Sequence, residues 1–143
     1  MKFIPTDSLE KLEFDKIRQL VASESFGEPA AKIINNLHPS SDFSLIMTML
    51  KQVDECKDGI LNNDGVPKGI YNDITELLQP LGIENYVLEL EEMLQIRNLT
   101  FLANQILSYF DTTRRITFPN LWALAGKVQR DETIVQHFNK IFT

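Results

Sequence analysis

His38, Ser40, Ser41 and Asp42 fall within five consecutive positions of the stretch "LHPSSDFSLI". Together they hold the residue types of a hydrolytic trio. A hydroxyl nucleophile, an imidazole base and an orienting carboxylate must converge from separate segments of a rigid scaffold. Neighbours in one loop diverge instead. Each residue also has a plainer role. Pro39 stops the helix before it, Ser41 or Asp42 accepts from the free N–H groups of the next helix, and Phe43 opens that helix's apolar face. The cluster is expected to be cap and loop.

The other candidates read the same way. His137 lies on a helix with no Cys or second His at ligand spacing, so it reads as an exposed or half-buried surface histidine and not a metal ligand. Glu89 and Glu92 are three apart and share a helical face, as paired catalytic carboxylates would. Acidic residues in a first helical turn also favour the macrodipole, which accounts for them without chemistry. Cys56 has no histidine nearby and is expected to be a buried, inert thiol. The phosphate-loop pattern Gly-x-x-x-x-Gly-Lys-Ser/Thr is missing. Gly126-Lys127 is followed by Val128 and lacks the upstream glycine. No catalytic, cofactor-binding or metal-ligating residue is therefore assigned, and this chain alone is not expected to hydrolyse ATP.

The basic residues are scattered among an excess of acid: 14 Lys and Arg against 20 Asp and Glu, a net charge of −6. That balance argues against an autonomous nucleic-acid binder, since phosphate binding rests on clustered cations. The densest basic group is Arg114, Arg115, Lys127 and Arg130. These four are the candidates for contact with a DNA backbone, and solvated helix ends are the blander reading. Trp122, Phe118 and Phe138 fall where the last two helices should pack. An exposed part of that set would mark a partner surface.

The elements that position these residues read as helices. No sustained two-residue alternation and no hairpin turn is present. A first helix is expected over about 8–25, with Asp7 and Glu10 as a loose capping box. Phe26-Gly27-Glu28-Pro29 breaks it, and a short helix follows to about Leu37. A third runs over about 43–61, with Ile46, Met49, Leu50, Val53 and Ile60 as its buried face. "NNDGVPKG", from Asn62 to Gly69, is a connecting loop. A short helix over about 72–78 precedes the longest pattern, about 88–113, nearly 40 Å long at 1.5 Å per residue. Pro119 opens a sixth helix, and Asp131 caps a seventh that runs up to the C-terminal Thr143. The expectation is all-α: a single helical domain over 1–143, a bundle of about seven helices with one long helix. A chain of 143 residues suits one domain. The N-terminus has no long apolar h-region and no run approaches a membrane span. With a single cysteine, a reduced cytoplasmic setting is the default.

Several stretches resemble the MutS family of ATPases, and more closely its second bacterial branch, which lacks the N-terminal mismatch-recognition domains. "LEKLEFDKIRQLV" resembles the opening helix of that branch. "LHPSSDFSLIMTMLKQVDEC" resembles its Pro–x–x–Asp helix start and a helix ending at an acidic position, here Glu55. "GVPKGIYNDITELL" resembles a Gly/Pro loop leading into an Asp-Ile helix. "LELEEMLQIRNLTFLANQIL" resembles the long helix after it, with Leu90 where relatives often place proline. "FPNLWALAGKVQRDETIVQHFNKIF" resembles the stretch leading toward the lever helices.

The resemblance implies the N-terminal helical core of a longer ATPase. The absent lever helices and ATPase domain would be its partners, and ATP and Mg would serve the parent protein. It implies a mechanical role, linking ATP-driven motion and dimer contacts, including a second copy as homodimer, to a DNA-embracing region. The parent would act on branched or mismatched DNA, in recombination control or mismatch repair. The competing reading is a stand-alone helical adaptor that binds another protein through a contiguous apolar patch. A small helical enzyme would need a pocket with converging polar groups, which nothing in the sequence supplies.

Overall fold

The computed structural model describes residues 8–141, and Asp7 and the last two residues lie outside them. Among the described residues the chain is all helical, without strands. Nine α-helices follow in order: α1 (Ser8–Lys11), α2 (Phe14–Ser23), α3 (Glu28–Asn35), α4 (Phe43–Leu61), α5 (Thr75–Leu78), α6 (Leu90–Tyr109), α7 (Thr112–Thr117), α8 (Pro119–Ala125) and α9 (Glu132–Ile141). A 3₁₀ turn over Gln79–Gly82 extends α5. The nine exceed the expected seven because two long patterns are each cut in two.

The first cut is at Glu13, whose φ of 53° puts it in the left-handed region and ends α1 before α2 begins. The second cut falls at Phe110–Asp111. Phe110 keeps the apolar spacing of the long helix, but its backbone leaves helical geometry at φ −79°, ψ 69°. Asp111 then caps α7, its carboxylate accepting from Arg114 N at 2.8 Å. The long helix is thus 20 residues, about 30 Å, and not 40 Å.

Other ends follow local chemistry as expected. Asp42 Oδ1 accepts from Leu45 N at 3.0 Å, and Asp42 N donates to Ser40 Oγ at 3.1 Å, so "LHPSSDFSLI" is a cap and loop. Glu89 and Glu92 form a reciprocal capping box at the start of α6, with Glu89 N donating to Glu92 Oε2 at 2.8 Å. Asp131 caps α9 by accepting from Ile134 N at 3.1 Å.

Helices α2 and α3 form an N-terminal pair. Arg18 joins them by donating to the carbonyls of Asn35 and Leu37, while it pairs with Asp15 on its own helix. The pair meets the later chain at Gly27. There φ is +102° and a Cβ would lie 2.6 Å from Tyr71 O, so glycine is required. Helix α9 docks on α6, where the Asn104 amide brackets Asp131: Nδ2 donates to Asp131 O at 2.6 Å and Oδ1 accepts from Asp131 N at 3.2 Å.

The apolar centre lies where α6, α7 and α8 meet. Phe110 is 2% exposed and Phe118 is also buried. The Phe110 ring stands 5.0 Å from Tyr109 and 5.7 Å from Trp122. Trp122 and Phe138 are half-buried.

Helix α4 departs from expectation. Met49, Leu50, Val53 and Ile60 are exposed, Val53 by 62%, and Cys56 is exposed too. The reason is packing. α4 rests chiefly on α8, and its one buried residue is Gly59; of the expected face Ile46 is half-buried, and the rest of the apolar stripe is left open among the described residues.

Candidate functional site

The expected DNA-contacting cations lie on and around α7 and α8, and three of the four are engaged within the chain. Arg114 is the third residue of the short helix α7 and reaches back 50 residues to Asp64, just beyond α4. Its Nε and Nη2 donate to the Asp64 carboxylate at 2.8–3.0 Å, a two-pronged ion pair. Its Nη1 donates to Asp111 Oδ2 at 2.8 Å, and the guanidinium lies 4.7 Å from the Tyr109 ring centroid. The Tyr109 hydroxyl donates to Asp64 O at 2.6 Å, so one loop residue is held through both side chain and backbone.

These contacts set the local electrostatics. Hydrogen bonds from Arg114, with its charge, hold the Asp64 carboxyl below the usual carboxylate range against a smaller opposing effect of desolvation. The same hydrogen bonds raise Arg114. Burial, aided by the Asp64 charge, pushes the Tyr109 hydroxyl up.

Arg115 turns the other way. Its Nε donates to Phe110 O at 2.7 Å and its guanidinium lies 4.2 Å from the Trp122 ring centroid. Arg130 pairs with Glu132 at 2.8 Å. Lys127 is exposed and makes no ion pair among the described residues. A phosphate approaching Arg114 would compete with Asp64, whereas Lys127 has no such competitor there.

Glu55 was legible only as an acidic position near the end of a helix. In the fold it leaves α4 and caps α8: Oε1 accepts from Asn120 N at 3.1 Å and Asn120 Nδ2 at 2.6 Å, and Oε2 accepts from Leu121 N at 2.8 Å. A carboxylate there satisfies free N–H groups and complements the positive end of the helix. Pro119 at the first position of α8 has no N–H to satisfy.

Beside this joint is an open apolar cleft of about 350 Å³ lined by Val66, Ile106, Phe110, Leu121, Leu124 and their neighbours. No set of polar groups converges in it. Among the described residues no three His, Cys, Asp or Glu side chains are grouped to hold a metal. His137 is exposed, with Nδ1 2.8 Å from Thr133 O, and the ring lies along its own helix. Gly126-Lys127 does not fit a nucleotide either. It lies at the C-terminal end of α8, where backbone carbonyls and not N–H groups point outward. No described helix is long and apolar enough to cross a membrane.

Comparison with known proteins supplies what the geometry does not. The chain is 31% identical over 103 residues to an endonuclease MutS2 of Pediococcus pentosaceus, covering 72% of this chain and 13% of that protein. A protein of the same name from Aquifex aeolicus is 27% identical over 135 residues, 94% of this chain and 16% of that protein. The chain is related to the MutS family and is MutS2-like. A third such protein, from Alkaliphilus oremlandii, is 23% identical over 122 residues, 85% of this chain. The chain spans only 13–16% of the length of these MutS2 relatives. No family model and no solved structure matches it.

Proposed function

We propose that this chain is a non-catalytic helical core segment of a MutS2-like, DNA-processing ATPase, placed toward the N-terminal side of its parent. It would couple an ATPase domain elsewhere in that parent to DNA and dimer contacts. The observation that carries this reading is the alignment of 94% of the chain with a MutS2 protein at 16% of that protein's length. The relatives' name makes them endonucleases, and we assign nuclease and ATP hydrolysis, with its ATP and Mg, to other parts of the parent. The missing phosphate loop and the lack of converging polar groups in the apolar cleft support that division.

DNA contact by this segment would fall first to Lys127, with Arg114, Arg115 and Arg130 as secondary contacts that must leave or share their present partners. Binding of the 143-residue chain to branched and linear duplexes across a salt series tests this. Binding at low salt that weakens with a slope reduced by Lys127→Ala supports contact, and no binding at low salt assigns the segment to scaffolding. Reading the source gene past Thr143 tests the parent. An ATPase domain with a phosphate loop is the expected finding, and a gene that ends there sinks the reading.

One observation favours a second reading, a helical adaptor. The apolar stripe of α4 is open, with Phe43 76% exposed. Under that reading the gene ends near Thr143.

A further inference from the structure

The joint between α4 and the rest of the chain is built differently from the others. Helix α4 is 19 residues long, about 28 Å, yet among its residues only a glycine is buried. Its apolar side chains add little to the joint, because most are exposed. Two carboxylates do the holding. Glu55 caps α8, and Asp64, at the end of the turn that closes α4, clasps Arg114 and receives the Tyr109 hydroxyl through its carbonyl. Both contacts sit in the second half of α4 or just past it. On the other side, the segment 37–42 that leads into α4 is exposed throughout. Local opening is cheapest where few apolar contacts are buried and the bonds are polar and solvent-accessible.

We propose that α4 is an arm held by a two-carboxylate clasp, and that releasing Glu55 and Asp64 lets it swing as an intact helix about the 37–42 and 62–69 segments. The geometry favours swinging over melting. α4 keeps its own ends: Asp42 caps the start, and Asn62 closes the end through Asn62 N and Nδ2 donating to Asp58 O. Asp64 adds to that end only through its backbone N, which donates to Gly59 O at 2.8 Å, so neither end depends on the two carboxylates. The proposal does not rest on the MutS2 reading, since it uses only contacts within this chain.

Trp122 is the chain's single tryptophan and Cys56 its single cysteine, which makes the movement measurable. In a Cys56→Ser background, Ser44→Cys places a thiol on the exposed start of α4, about 17 Å along the helix from Glu55. A dansyl acceptor there takes energy from Trp122, and transfer reports where α4 points. Glu55→Ala with Asp64→Asn is expected to change transfer by about a third or more while the far-UV helical signal and the near-UV signal of Trp122 hold. Unchanged transfer overturns the proposal, because α4 then keeps its place without the carboxylates. A transfer change that comes with loss of either spectral signal also overturns it, because the helices then melt and do not swing.

Discussion

The aromatic centre and the α4 joint are two ways of holding helices, and they lie side by side. Around Phe110 and Phe118 the helices α6, α7 and α8 are held by burial: both rings are out of solvent, and the Trp122 ring packs tilted against the first at 5.7 Å. At the α4 joint the contacts are carboxylates on N–H groups and on a guanidinium, with the apolar stripe left outside. Burial is non-directional and scales with area, whereas the polar joint depends on a few atoms in fixed geometry. The first should tolerate pH and salt and fail on loss of volume. The second should tolerate loss of apolar volume and weaken on loss of either carboxylate.

Phe110→Ala gives the largest effect. Emptying a fully buried aromatic site is expected to cost about 3–5 kcal/mol in urea unfolding. A loss below about 1 kcal/mol would mean that the centre is not where stability resides. Glu55→Ala comes next, at about 1–2 kcal/mol, the range for removing a helix N-cap. Glu55→Gln keeps one acceptor oxygen and should recover part of it. If Glu55→Ala matched Phe110→Ala, the contrast between the two regions would fail.

The clasp then gives a sign that burial cannot give. The folded-state value of Asp64 lies below its unfolded value, so its contribution is present above the ordinary carboxylate range. It is lost as pH falls through the lowered folded value. Asp73 acts in the same direction, because the Thr75 hydroxyl and N–H hold its carboxylate down. Asp64→Asn is therefore expected to lower the melting temperature at neutral pH and to flatten, but not abolish, the acid limb of the stability curve. An acid limb as steep as in the wild type would remove Asp64 from the account.

The same contrast decides what was legible in the sequence. Local signals were: Pro39 and Asp42 bound the start of α4, Asn62 its end, and Asp131 the start of α9. The break in the long helix was hidden by Phe110, which continues the apolar spacing. The Asp111 cap, an Asp before Thr-Thr-Arg, was the signal that could have shown it. Glu55 and Asp64 find their partners about 65 and 50 residues away, so neither pairing could be read from spacing. The stripe of α4 was read correctly as apolar and wrongly as buried, because amphipathicity states which face is able to pack and not whether a partner is present. The basic set was read as solvated or phosphate-facing, yet Arg114 and Arg115 lie over aromatic rings beside the centre.

The smallest expected effect is also the most direct probe of α4. Val53 is 62% exposed on the open stripe. Val53→Ser removes apolar volume that the described fold does not use, so stability should move by no more than about 0.5 kcal/mol. The same substitution in a buried helix face costs well over that, since it strands a hydroxyl as well as losing methyl contacts. A loss of about 2 kcal/mol or more in the isolated chain would mean that the stripe is covered in solution by a second copy. That loss should then fade on dilution, because a dimer's apparent stability depends on protomer concentration. A small, concentration-independent effect instead leaves the clasp, and not the stripe, as what holds α4 in place.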